Sequence, residues 1–172
     1  MVTIGIISDT HITEENFSPL GVNLLNQLKN AFKNVDEVIH AGDICSKRFL
    51  IKLNEIKPVR CVLGHEDLMQ LESFIKFARG SYTIGVIHKL PEDLERFCND
   101  NKLQILIFGH THQPLIKGSN FNTLLINPGS PTFPKAPPHK TGFEIPTPKP
   151  SVGLLKIDDD DILSTYIVNL KK

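Results

Sequence analysis

Cysteine is scarce in this chain of 172 residues: Cys45, Cys61 and Cys98 are widely spaced and odd in number, and form no Cys-x-x-Cys pair. That excludes a disulfide framework and fits a reducing compartment, with the thiols packed as small apolar groups. An excess of either charge is also missing, since 19 Lys and Arg balance 19 Asp and Glu. The balance removes the general electrostatic case for nucleic-acid or membrane binding. No stretch approaches the roughly 20 apolar residues that a membrane helix needs. The start, Met1 followed by the apolar run Val2–Ile7, lacks the basic segment of a signal peptide. A soluble cytoplasmic protein is the expectation. No internal repeat is visible.

What is present is an ordinary globular composition, 40% apolar and 22% charged. The size suits one domain over 1–172, able to bury a core without cross-links. Short apolar runs alternate with helix-like segments, the signature of an α/β fold. Strands are expected at Val2–Ser8, Glu37–His40, Val59–Leu63, Tyr82–Ile87 and Leu103–Phe108. Helices are expected from Ser18-Pro19, with Ser18 as N-cap, and over Lys47–Glu55 and Pro91–Asn101. A hairpin is expected from Leu115–Lys117 and Thr123–Ile126. Seven of the twelve prolines fall within 131–150, which reads as a long surface loop. Val152–Ile157 and Ile162–Leu170 then form a second hairpin. Its turn, Asp158–Asp161, lacks the spaced ligands and glycine of a calcium loop.

The informative fact is positional. Five separate strands end in residues able to bind a metal: Asp9 and His11, then Asp43, His65, His88, and finally His110 and His112. In α/β sheets, functional groups gather beyond the carboxyl ends of strands. In extended backbone, residues i and i+2 face the same side, so Asp9 and His11, or His110 and His112, can each present two ligands to one site. Mixed carboxylate and imidazole ligands suit Mn, Fe, Zn, Co or Ni better than Mg or Ca. A single histidine or Gly-Asp at a strand end is ordinary; the ordered set is not. His40, just before Ala41-Gly42-Asp43, reads as a structural hydrogen-bonding residue. His139-Lys140 reads as a surface pair.

Asp9-x-His11, Gly42-Asp43, Gly64-x-x-Asp67, His88 and Gly109-His110-Thr111-His112 resemble, in order, the calcineurin-like metallophosphoesterase pattern. Asn127-Pro128-Gly129-Ser130 resembles its small prokaryotic phosphodiesterase branch. The resemblance implies a four-layer β-sandwich of two mixed sheets flanked by helices. It also implies two divalent ions per chain, manganese first and Fe, Zn, Co or Ni as alternatives. Asp9, His11 and His112 would hold one ion, His88 and His110 the other, with Asp43 bridging. A bridging hydroxide would attack phosphorus in line, and the substrate would be a small phosphate ester, a diester by the branch resemblance. The chain departs from the pattern at His65, which replaces the family's asparagine ligand, and at Lys89, which replaces a glycine. It departs again at Glu66, where many members carry a histidine linked to leaving-group protonation. Glu66 is either a substitute in that catalytic role or merely exposed. The alternative function is a non-catalytic protein-binding scaffold, because the small retromer subunit resembles this fold and length. A nuclease of the same superfamily is disfavoured, since no extra domain or basic surface is present. Self-association into a homo-oligomer is left open.

Overall fold

The computed structural model describes residues 1–171. Its elements run β1 (Val2–Ile7), α1 (Val22–Ala31), β2 (Glu37–His40), α2 (Lys47–Ile56), β3 (Val59–Cys61), β4 (Phe74–Arg79), β5 (Tyr82–Ile87) and α3 (Leu94–Asn101). They continue through β6 (Ile105–Ile107), β7 (Pro114–Gly118), β8 (Leu124–Pro128), β9 (Ser151–Ile157) and β10 (Leu163–Asn169).

Two mixed sheets result, one ordered β10-β9-β1-β2-β3 and the other β4-β5-β6-β8-β7. In the first, β1 runs parallel to β2, with Ile7 opposite His40, and antiparallel to β9, with Gly5 opposite Leu154. In the second, β5, β6 and β8 are parallel, and β4 and β7 close the edges in the antiparallel sense.

The period of two along each strand sorts the side chains into layers. Ile4, Ile6, Ile39, Ile84, Val86, Ile105, Ile107 and Leu155 interlock between the sheets. Ile7 and Val38 face the other way, meeting Leu24, Leu28 and Phe32 together with Phe49 and Leu53 of α2. On the far side, Leu106 and Leu125 pack with Cys98 of α3. The order is therefore helices, sheet, sheet, helix: the expected α/β four-layer sandwich. Each fully buried isoleucine contributes about 1.5–3 kcal/mol to that core. Gly5 makes one close approach possible, because a Cβ there would lie 2.8 Å from the Phe32 ring.

Three local expectations are corrected. Ser18 caps no helix: it has extended angles (φ −117°, ψ 120°) inside the turn Phe17–Gly21, whose capping position is Asn16. Phe17 is buried there, and α1 begins only at Val22. The last helix starts at Leu94 rather than Pro91, because the Asp93 carboxylate accepts the Arg96 N–H and caps it. Strand β4 was not expected at all; it pairs with β5 from Phe74 opposite Ile87 to Arg79 opposite Tyr82. Both hairpins formed, and 131–150 contains no helix or strand. Among the described residues, no helix is long and apolar enough to cross a membrane.

Candidate metal centre

The loops leaving β1, β2, β3, β5 and β6 meet at one edge of the sandwich. Backbone bonds stitch them together: Asp9 donates its N–H to Gly42 O (3.0 Å), His11 to Asp43 O (3.0 Å) and Gly109 to His88 O (3.0 Å). The convergence is not a property of extended chain, as the i, i+2 argument supposed. Asp9, His11, Asp43, His110 and His112 all adopt left-handed angles, with φ of 52°, 44°, 57°, 68° and 60°. Each sharp turn re-aims a side chain that a pleated strand would point elsewhere. Asp and His tolerate this region better than most residues, at about 1–2 kcal/mol each. Backbone strain of this kind is concentrated at functional sites.

The side chains fall into overlapping clusters whose candidate ligand atoms lie within 4.8 Å of one another: Asp9, His11 and His112; His65, His88 and His110; and Asp9, Asp43 and His88. Asp43 stands between the histidine groups, its Oδ2 3.8 Å from His11 Nε2 and 3.2 Å from His88 Nε2. His65 is exposed and packs edge-on against His88 and His110, with ring centroids 4.9 and 4.8 Å away. A fourth cluster, His11, Cys45 and Glu66, lies behind the first. Glu66 Oε2 is 3.2 Å from His11 Nδ1. His139 is remote, its Nε2 against Phe143 O (3.0 Å) in the exposed loop, and Lys89 is exposed.

The hydrogen bonds assign the ring nitrogens. His88 Nδ1 faces Ala41 O at 2.8 Å, and His112 Nδ1 faces Phe133 O at 2.8 Å. A carbonyl only accepts, so both Nδ1 atoms carry a proton and both Nε2 atoms are left free to face inward. His88 Nε2 is fully buried and makes no hydrogen bond among the described residues, although Asp43 Oδ2 lies 3.2 Å away. His112 Nε2 lies 3.2 Å from His11 Nε2 and 3.5 Å from Asp9 Oδ1. A buried nitrogen without a partner, 3.2 Å from the Asp43 carboxylate, is what a divalent cation would satisfy.

Charge tells the same story. Burial pushes the Asp43 carboxyl up, but His88 beside it, the Glu66 N–H (2.9 Å) and His11 outweigh that and hold it below the usual carboxylate range. Burial lowers His88, yet Asp43 and the Ala41 carbonyl raise it above an ordinary imidazole. That nitrogen therefore takes either a proton or a cation. Asp9 is raised by burial, against the Ser8 hydroxyl and the nearby histidines. His110 is lowered by burial and then by His88, His65 and Lys89. Burial pushes the Cys45 thiol up to about 12, so it stays protonated.

Several positioning residues stand out in the sequence only as members of a motif. Asp67 accepts N–H groups from Asp43 (3.0 Å), Ile44 (2.8 Å), Cys45 (2.7 Å) and Gly64 (2.7 Å). Asn127 holds Gly109 O (2.8 Å), and Ser130 holds Asp9 O (2.7 Å). Their partners are backbone groups distant in sequence, which residue spacing does not encode. His40 is structural as expected: it is fully buried, with Nε2 3.1 Å from Thr10 Oγ1.

The model of the calcineurin-like phosphoesterase superfamily domain matches residues 2–149. A probable metallophosphoesterase of Methanothermobacter thermautotrophicus is 32% identical over 92% of this chain and 88% of its own length. A second, from Methanocaldococcus jannaschii, is 36% identical over 78% of this chain and 70% of its own. Solved structures share the fold at lower identity. A conserved uncharacterised protein of Streptococcus pneumoniae, described as a predicted phosphoesterase, has a TM-score of 0.71 at 20% identity, covering 98% of this chain and 89% of that one. Vps29 of Entamoeba histolytica complexed with zinc has 0.71 at 24%, covering 98% and 99%. An archaeal phosphodiesterase has 0.66 at 22%, covering 97% and 100%. With strand-end carboxylates and imidazoles in place and the domain match running through all of them, the chain belongs to the calcineurin-like phosphoesterase superfamily.

Proposed function

We propose that the protein hydrolyses phosphodiesters with the help of two divalent ions, manganese first among the candidates. The observation that carries this reading is the buried, unpartnered Nε2 of His88 facing Asp43, beside the crowded nitrogens of His11 and His112. The donor set fits the ions. Asp9, His11 and His112 would hold one, His65, His88 and His110 the other, and Asp43 would face both. Such a pair supplies Lewis-acid charge neutralisation of the phosphate and activation of a water molecule.

The chain's own residues do the rest. Asp43 keeps its carboxyl ionised, and its backbone is clamped by Asp67. Asp9 is fixed through Oδ1 and Oδ2 by the His110 N–H (3.0 Å each). A cleft of about 630 Å³, lined by His11, Asn16, Glu66, His112, Phe133 and Lys135, opens beside the first cluster and gives an ester room to approach.

The second reading, a non-catalytic scaffold, draws on the likeness to Vps29 and on His65 and Glu66 standing where the family pattern differs. Metal analysis of protein purified without chelator, paired with manganese-dependent hydrolysis of a chromogenic phosphodiester, separates the two. The enzyme reading expects about two ions per chain and turnover that Asp43→Asn abolishes. Less than one ion and no stimulated turnover would favour the scaffold.

A further inference from the structure

Three histidines at the centre present Nε2 inward and have an acceptor behind Nδ1. For His88 and His112 that acceptor is a neutral backbone carbonyl, of Ala41 and Phe133. For His11 the nearer partner is a carboxylate, Glu66 Oε2 at 3.2 Å, with Cys45 Sγ 3.9 Å from the same nitrogen. The Glu66 backbone is itself held by its N–H on Asp43 Oδ1 (2.9 Å), one position from the Asp67 clamp. We infer that Glu66 is a positioning residue for the first metal site, orienting His11 and increasing its donor strength, and is not the acid that protonates the leaving group.

The geometry argues this in two steps. A carboxylate accepting Nδ1–H fixes the proton on that nitrogen and leaves the lone pair on Nε2, which faces His112 and Asp43. The negative charge behind the ring also makes imidazole a stronger donor, the carboxylate–histidine–metal arrangement. Glu66 lines the cleft beside the first cluster, and within it Oε2 meets His11 at Nδ1, the ring nitrogen opposite the Nε2 that faces His112 and Asp43. Its side chain is 68% exposed, so by itself the contact adds little to folding stability. Its effect is felt through the ligand.

This inference rests on the two-metal reading above, and the test keeps the two apart. Metal-free wild type, Glu66→Gln and Glu66→Ala are titrated with manganese and cobalt(II) against a chromogenic chelator, and the cobalt spectra are compared. Turnover is measured at saturating metal. Glu66→Ala should lose about tenfold or more in affinity at one site, with the other unchanged and an altered cobalt spectrum. Glu66→Gln, which keeps an acceptor but not the charge, should recover part of that loss. Turnover at saturating metal should fall by less than the metal affinity does. Unchanged affinities and spectra in both variants would overturn the inference. So would a loss of 10²-fold or more in saturated turnover at unchanged affinity, the mark of a proton donor. A wild type that binds no metal would sink the underlying reading instead, and the inference with it.

Discussion

Asp67 sits beneath Asp43 and grips its loop: one carboxylate oxygen accepts the N–H groups of Asp43 and Gly64, the other those of Ile44 and Cys45. Four donors on one nearly buried carboxylate bind β2's exit loop to β3's. Asp67→Asn replaces one acceptor oxygen with a donor that faces N–H groups. It should lower stability by about 2 kcal/mol or more, seen in urea unfolding, and lower manganese retention together with it.

Gly64 lets the same loops touch. An added Cβ would overlap Asp43 N and its Oδ1, so the backbone of Asp43 would have to shift. Gly64→Ala should displace Asp43, reducing metal-dependent phosphoesterase activity at least a hundredfold, while far-UV circular dichroism shows the sandwich retained. Wild-type turnover from the folded variant would contradict the placement of Asp43 at the centre.

Removing bound ions should expose the strain and charge gathered at the edge. Metal at about a hundred times its dissociation constant adds about 2.7 kcal/mol of stability. For a chain of this length that raises the thermal midpoint of chelator-treated protein by roughly 5–10 °C. Because His88 is raised above an ordinary imidazole by Asp43, binding at neutral pH should also release protons, measurable by calorimetry in buffers of different ionisation enthalpy. No shift in either quantity would argue against a metal centre.

His40 predicts an acid limb. Burial lowers its pKa to about 4, against Asp67 and Asp43, whose charges act to raise it. The unfolded chain, with an ordinary imidazole, binds more protons between pH 6.5 and 4. This group's contribution to stability is therefore complete above pH 6.5 and lost as the pH falls toward 4. In chelator, the stability difference between wild type and His40→Gln should shrink on acidification by on the order of 2 kcal/mol. A difference independent of pH would show that His40 titrates as if exposed.

The sheets and the order of the ligand-bearing loops were legible because buried parallel strands read as apolar runs and their ends as abrupt polarity. β4 was not, since Lys76 and Arg79 break its apolar pattern and both of its faces are only partly covered. The meeting of Asp9 with His11 was expected for the wrong reason. Alternation along a strand gave the pairing, but left-handed turns produce it, and no spacing rule distinguishes the two. Asp67, Asn127 and Ser130 stood in recognisable motifs without visible roles, because their partners are backbone amides and carbonyls. By position Glu66 reads as an acid or a bystander; its contact with His11 exists only in three dimensions.

The proline-rich segment is pinned at both ends. His112 holds Phe133 O and accepts the Lys135 N–H (3.1 Å). Beyond it, Pro150 O accepts from Leu170 (2.8 Å), and Ser151 donates to Ser130 O (3.3 Å). The stretch from 137 to 148 hangs between these fasteners over the surface. Doubling its length would cost only about 0.6 kcal/mol in closure entropy, and the ligand loops would not register the change. This is where the architecture can be lengthened, tagged or exchanged while the candidate metal edge keeps its shape.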